Sequence, residues 1–398
     1  LKIGNRKSSI WLVAVICVLW FLRSPMAGAS QTPPYLNKLS STDALLVVDH
    51  DGQVIFEKNK EKKYVPASTL KILTALAAIH HLGLSYRFQT EFYMDPKRNL
   101  KIKGYGDPLF ISEVLEGIAD SLSKMVPNFN NLILDDTYFS EGISIPGRKH
   151  STNPYDAPVG ALCVNFNTVF FDRDQRGRII SAESSTPVIP YVREKIKSLR
   201  LKKGRYTFTH DRNETARYAG EMLLHFLKET GMESKGKIEF GTIRHEDRRI
   251  YTYRSSFTLE EILKRMMEFS NNFVANQIFI AVGAKVFGPP GTLAKGVRAV
   301  SEFAERQLQL KGVEIAEGSG ISRKNHISPL HMLAILKKFE PYRHLLKKKG
   351  NMQYKTGGLR GVKTRAGYIE RNPEQLQYFV IFLNGSKLNI KKLMRCIN

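Results

Sequence analysis

The chain has 398 residues, with 61 Lys or Arg against 37 Asp or Glu, giving a formal charge of +24. With 42% hydrophobic residues and no low-complexity tract it is a globular protein, not a disordered or fibrous one. The length accommodates two domains or more and a sizeable core.

The first residues have the build of an export signal. Lys2, Arg6 and Lys7 precede thirteen apolar residues from Ile10 to Leu22, followed by Arg23 and the small-residue site Ala27-Gly28-Ala29. Thirteen residues are short for a membrane span, so cleavage after Ala29 is expected, with an uncleaved anchor as the alternative. Cys17 sits inside the apolar run behind bulky Ile16 and is not a lipid-attachment site. Losing residues 1–29 removes four positive charges and no negative ones, so the formal charge falls from +24 to +20. A strongly basic protein that is periplasmic or otherwise extracytoplasmic does not meet nucleic acid. Its partner surface would be anionic cell-wall polymer or lipid, unless the lysines form only a solvated face. Cys163 and Cys396 remain; export permits a disulfide, but both are expected to be free.

Asp43 to Phe56 reads as a hairpin turning at Asp49-His50-Asp51-Gly52. Pro66-Ala67-Ser68-Thr69-Leu70-Lys71 then opens a run in which Leu70, Ile72, Leu73, Leu76, Ala77 and Ile79 leave no polar face. That pattern predicts a helix buried inside a domain and ending near Gly83. Lys71 lies one helical turn beyond Ser68, so its amine can stand beside the hydroxyl. Burial disfavours the ammonium, and a neutral amine next to serine makes a nucleophile–base pair. Ser-x-x-Lys occurs three times, but Ser121/Lys124 ends an amphipathic helix and Ser234/Lys237 falls in a polar stretch with Gly236, read as loop. Phe88–Met94 and Leu100–Lys103 read as strands, 111–125 as an amphipathic helix and Leu132–Leu134 as a buried strand. Turn-rich, alternating sequence to about residue 245 suggests a mainly β insert. A strand at Arg249–Arg254 follows, then helices at 258–268, 273–286, 293–309 and 328–339. Strands at Met352–Lys355, Val362–Ile369 and Leu376–Leu383 come next, with a last helix from Ile390.

Two further constellations bear on Ser68. In Phe269-Ser270-Asn271-Asn272 one helix stops and the next begins, so Ser270 and Asn272 can hydrogen-bond from the junction. Alone, this reads as an ordinary N-cap, and Ser151-Thr152-Asn153 repeats the spelling in a loop. Lys355-Thr356-Gly357-Gly358 closes a short strand, where a cation and hydroxyl suit a substrate carboxylate and glycine admits its backbone. Alone, it is a basic edge strand turning into a hairpin. No His/Cys/Asp/Glu cluster has zinc spacing, and His80-His81 read as a helix end. Phosphate-loop, Gly-x-Ser-x-Gly and His-Glu-x-x-His patterns are missing.

The ordered set Ser-x-x-Lys, Ser-x-Asn, Lys-Thr-Gly, each in fitting local structure, resembles the penicillin-binding serine D-alanyl-D-alanine peptidases. More narrowly the chain is similar to the low-molecular-mass carboxypeptidase/endopeptidase group, which carries a long insert between nucleophile helix and second motif. Gly104–Pro108, Tyr155–Leu162 with Asn165-Phe166-Asn167, Thr186-Pro187-Val188, Glu317–Arg323 and Ala366–Ile369 extend the likeness from about residue 40 to the end. Gly358 stands where the family usually has a hydroxyl, Glu317 replaces a more usual Asp, and the insert is short.

The resemblance implies an α+β fold with a β-lactamase/transpeptidase-like antiparallel sheet flanked by helices and a mainly β inserted domain. The expected segments are a signal peptide at 1–29, peptidase parts at 38–95 and 249–398, and an insert at 96–248. It also implies Ser68 as nucleophile, Lys71 as base, Ser270 as proton relay, and Asn272 holding Lys71 and the substrate amide. Lys355, Thr356, Gly357 and Gly358 would bind substrate, with the Ser68 and Gly358 N–H groups forming the oxyanion hole. The substrates would be peptidoglycan peptides, with β-lactams as covalent inhibitors and no cofactor or metal. A β-lactamase of the same fold and a non-catalytic cell-wall binding or sensing protein are the rival readings.

Overall fold

The computed structural model describes residues 33–372 and 375–398; the expected export segment at 1–29 lies outside the described residues. In chain order come β1 (Asp43–Val48), β2 (Val54–Lys58), α1 (Lys71–Leu82), β3 (Gln89–Met94), β4 (Leu100–Gly104), α2 (Ser112–Ser123) and β5 (Leu132–Asp135). Next are α3 (Pro190–Ser198), α4 (Arg212–Glu229), β6 (Ile238–Phe240), β7 (Arg248–Arg254), α5 (Leu259–Phe269) and α6 (Asn272–Phe287). The chain ends with α7 (Leu293–Leu308), α8 (Pro329–Phe339), β8 (Met352–Leu359), β9 (Val362–Asn372), β10 (Gln375–Asn384) and α9 (Ile390–Ile397).

The N-terminal hairpin and the C-terminal strands form one antiparallel sheet, ordered β8-β9-β10-β1-β2, with Lys348–Lys349 capping the start of β8. β1 is buried along its whole length because both faces of the sheet are covered. Ala44, Leu46 and Val48 face the main core with α1, α6 and α8, whereas Leu45 and Val47 face Leu393 and Ile397 of α9. β10 repeats the period-2 division, with Tyr378, Val380 and Phe382 on the first face and Phe379, Ile381 and Leu383 on the second. α1 and α6 are apolar on nearly every side and lie in the middle of the helical layer; Phe273 to Ala284 of α6 is buried without interruption.

The insert forms a second unit on its own core. Its five-stranded sheet runs β6-β5-β4-β3-β7, parallel at β6/β5 and β5/β4 and antiparallel at β4/β3 and β3/β7. The expected boundaries at 95/96 and 248/249 therefore cut through a sheet. β3 pairs with β4 across the Asp95–Asn99 turn and with β7, so both β3 and β7 belong with the insert. The insert is also richer in helix than its turn-rich sequence suggests. α4 is 18 residues long and packs Ala216, Ala219, Leu223 and Leu227 against the sheet, while its other face is charged. Among the described residues no helix is long and apolar enough to cross a membrane.

Candidate active site

Ser68 lies in a 3-10 turn, Ala67–Leu70, that runs directly into α1. The nucleophile candidate thus stands one turn ahead of the α-helix rather than within it. Ala67 is fully buried with a φ of +46°, a left-handed conformation that costs an alanine about 1–3 kcal/mol. Two contacts to Pro66 hold this turn: Thr69 Oγ1 donates to Pro66 O at 2.7 Å, and Thr364 Oγ1 of β9 donates to it at 2.8 Å. Two glycines let neighbouring backbone close in. A Cβ on Gly320, whose φ is +81°, would lie 1.9 Å from Ala67 O, and one on Gly357 would lie 2.9 Å from Ser68 N. Lys-Thr-Gly therefore sits against the Ser68 turn because position 357 has no side chain.

Lys71 is wholly buried. Its Nζ lies 2.8 Å from Asn272 Oδ1, 2.6 Å from Ser319 O and 3.2 Å from Ser68 Oγ. A neutral amine has two N–H donors and one lone pair. The amide oxygen and the carbonyl accept the two donors, which leaves the lone pair for the Ser68 hydroxyl. Burial, and then the nearby positive Lys355, hold Lys71 well below the ordinary lysine range; negative Glu317 opposes them in part. The three motifs meet here. Ser270 terminates α5 in a left-handed conformation, Asn272 begins α6, and Lys355 lies on β8. Lys355 Nζ donates to Ser270 Oγ at 2.7 Å and to Thr356 O at 3.0 Å. Burial, and then Arg365, push Lys355 down to about 7. Thr356 and Gly358 are exposed on the same edge strand.

In the sequence Glu317 stands out only as a variant of the family pattern; its position in the fold gives it a structural task. The carboxylate is completely buried and accepts from Ser319 N at 2.7 Å, Ser319 Oγ at 2.6 Å, Gly320 N at 2.7 Å and Asn325 Nδ2 at 2.7 Å. Asn276 Nδ2 of α6 donates to it at 3.1 Å, and Asn276 Oδ1 accepts Gly318 N at 2.8 Å. Glu317 thus shapes the loop whose Ser319 carbonyl holds Lys71, and Thr74 of α1 bonds the same loop at Gly318 O, 2.7 Å away. Glu317→Gln puts an amide N–H₂ among these donors. It should lower stability by about 1–3 kcal/mol, the cost of an unsatisfied buried polar group, and slow acylation because Ser319 moves. A thermal melt with parallel acylation kinetics checks this; an unchanged melting temperature would refute the tie.

Beside Asn272 a cleft of about 500 Å³ opens between α5, α6 and the insert, walled by Tyr155, Phe166, Phe269 and Val274. Phe166 enters it from a turn in which Asn165, Phe166 and Asn167 have φ of 49°, 59° and 52°. Left-handed backbone costs about 1–2 kcal/mol per residue and is rarely found in succession. Buried amides offset this cost: Asn165 exchanges two hydrogen bonds with Ser112, at 2.9 and 2.8 Å, and Asn167 Nδ2 donates to Pro158 O at 2.7 Å. Of the remaining sequence candidates, Ser121 Oγ donates within α2 to Gly117 O and Ser234 Oγ to Asn130 O, far from this cluster in the fold. Ser151 Oγ bonds Asp156 in a loop of the insert. Cys163, buried, and Cys396, half-buried, are both free thiols.

The likeness to known proteins follows the same outline. The chain is similar to D-alanyl-D-alanine carboxypeptidase DacB of Haemophilus influenzae, at 24% identity covering 84% of each chain. A D-alanyl-D-alanine carboxypeptidase of Actinomadura sp. (strain R39) is 25% identical over 72% of this chain and 62% of that protein. The crystal structure of penicillin binding protein 4 (dacB) from Haemophilus influenzae superimposes with a TM-score of 0.76 at 22% identity, covering 91% of this chain and 96% of that one, and so shares the α+β fold. Residues 36–203 and 198–347 match the D-Ala-D-Ala carboxypeptidase 3 (S13) family, and the chain belongs to that family.

Proposed function

We propose that the protein is a serine D-alanyl-D-alanine carboxypeptidase acting on peptidoglycan stem peptides through an acyl-enzyme on Ser68. The observation that carries this reading is the buried Lys71 amine, which stands 3.2 Å from Ser68 Oγ while Asn272 Oδ1 and Ser319 O accept from it, so that in its neutral form the lone pair is left for the Ser68 hydroxyl. Ser68 Oγ attacks the carbonyl of the penultimate D-alanine as its proton passes to Lys71. The C–N bond then breaks, and Ser270, bonded to Lys355, relays a proton to the leaving nitrogen. The Ser68 and Gly358 N–H groups receive the oxyanion, where the loss of one donor costs about 10²–10³ in rate. Water hydrolyses the ester and restores Ser68. β-Lactams acylate the same hydroxyl, and the cleft beside Asn272 gives the acyl-side peptide room. Cleavage of cross-links belongs to the same chemistry when the leaving amine is a second stem peptide. Export through residues 1–29 would bring the protein to this substrate, and its positive charge would hold it against anionic wall polymer or lipid.

Incubation with a pentapeptide and with cross-linked muropeptide dimers, read by mass, tests the reading. Loss of one alanine from the pentapeptide is expected, whereas intact pentapeptide and unlabelled Ser68 would refute it. Lys355→Ala should lower acylation roughly ten- to hundred-fold by removing one charged hydrogen bond to the substrate carboxylate.

A further inference from the structure

Arg365 is a half-buried cation on the strand next to Lys-Thr-Gly that the mechanism above does not use. It lies on β9 directly opposite Thr356 of β8, in the register that pairs Lys355 with Ala366 and Gly358 with Lys363. Thr364, its neighbour, points the other way, with its hydroxyl on Pro66 O behind the Ser68 turn. Arg365 and Thr356 therefore share the opposite face, where directly paired Cβ atoms stand about 4.5–5.5 Å apart. Tyr354 N still donates to Lys347 O at 3.3 Å, and beyond it no strand among the described residues pairs with the outer side of β8, so this face borders an open edge that can take an extended substrate. Arg365 Nη1 donates to Thr364 O at 2.7 Å; among the described residues no carboxylate pairs with the guanidinium. Its charge reaches Lys355, whose ammonium it disfavours.

We infer that Arg365 is a second reader of the substrate's terminal carboxylate, acting beside Lys355 and Thr356 from the neighbouring strand. This rests on the peptidase reading above. Two features of the site create the need. Gly358 carries no hydroxyl on the Thr356 face, and a Cβ there would meet nothing closer than Val362 O at 3.8 Å, so the space beside the carboxylate is open. Lys355 is also the one cation of the motif, and its Nζ already bonds Ser270 Oγ and Thr356 O, so it has few donors left for both carboxylate oxygens. A guanidinium stays charged and presents a planar fork that fits a carboxylate.

The test compares a D-alanyl-D-alanine peptide with its C-terminal amide in the parent, Arg365→Gln, Arg365→Met and Arg365→Lys proteins, as kcat/KM for D-alanine or D-alaninamide release. The parent should prefer the free acid. In Arg365→Gln and Arg365→Met that preference should fall roughly ten- to hundred-fold, the effect of one charged hydrogen bond, and Arg365→Lys should keep most of it. The preference left in the uncharged variants should vanish as pH rises past the titration of Lys355, whereas the parent should retain its preference. A melting curve shows which variants are folded. A parental preference in either folded uncharged variant, or an equal loss on acid and amide, would overturn the role of Arg365. A parent that releases no D-alanine from the free acid would instead refute the peptidase reading itself.

Discussion

Ser68→Ala will take up no labelled penicillin and will release no D-alanine, while melting close to the parent temperature. Removing the nucleophile of a serine hydrolase costs on the order of 10⁶ in rate, which here means the detection limit. The side chain is partly exposed and its Oγ makes one hydrogen bond, to Lys71, so the fold loses little with it. The comparison is sharp because two other serines have the same Ser-x-x-Lys spacing. Ser121 spends its hydroxyl on a helix carbonyl and Ser234 on Asn130 O, and neither has a buried amine against its oxygen. Peptide mapping of the labelled parent should therefore recover the adduct on Ser68 alone. Label on either of the others, or persistent labelling of Ser68→Ala, would remove Ser68 from the mechanism.

The reason Ser68 was distinguishable in the sequence is physical. Leu70, Ile72, Leu73 and Leu76 report burial around the whole helix, and a lysine inside such a helix must be neutral or paired. The N-terminal hairpin, α5 to α8 and the last three strands are legible for similar reasons: α5, α7 and α8 carry a 3.6-residue period, and α6 and the strands are apolar or alternating runs of the right length between turn signals. Their assembly into one sheet follows from the family resemblance and not from these patterns: β1 meets β10 across more than 300 residues, with Asp43 opposite Leu383, and no local pattern encodes that pairing. α4 is hidden in the sequence because Arg212, Glu214, Arg217, Glu221 and Lys228 interleave with its apolar stripe and dilute it. The boundaries of the insert differ from the expected 95/96 and 248/249 because β3 and β7 have ordinary strand composition; only their partners show which sheet they join.

Within the site, legibility stopped where a role depends on backbone rather than residue type. The motifs placed Lys71, Asn272 and Lys355, but the third partner of Lys71 is the carbonyl of Ser319, a group that every residue carries. Glu317 becomes meaningful only when the loop folds back so that donors two, three and eight residues onward converge on one carboxylate. Arg365 is likewise invisible until register sets it opposite Thr356. The strain at Ala67 has no sequence mark at all, because alanine gives no warning of a positive φ.

Lys71→Met should fold and still present Ser68, yet acylate about 10²–10⁴-fold more slowly, the usual contribution of a positioned general base. Methionine fills a similar volume and carries no charge, so the burial that depresses the lysine costs the variant nothing. The pH profile separates loss of a base from loss of packing. Lys71 acts as base only when neutral, and its folded-state pKa lies well below the usual 10.5. Parent acylation should therefore fall as acid protonates Lys71, with its limb displaced to a pH well below the range of a free lysine. In Lys71→Met that acid limb should disappear, leaving a low and nearly flat rate over the same range. Two changes around Lys71 should move the limb in opposite directions. Removing the positive charge of Lys355 raises the Lys71 pKa and shifts the limb to higher pH, whereas Glu317→Gln removes an opposing negative charge and shifts it lower. Near-parental acylation by Lys71→Met, or an acid limb that survives in it, would assign the proton transfer to another group.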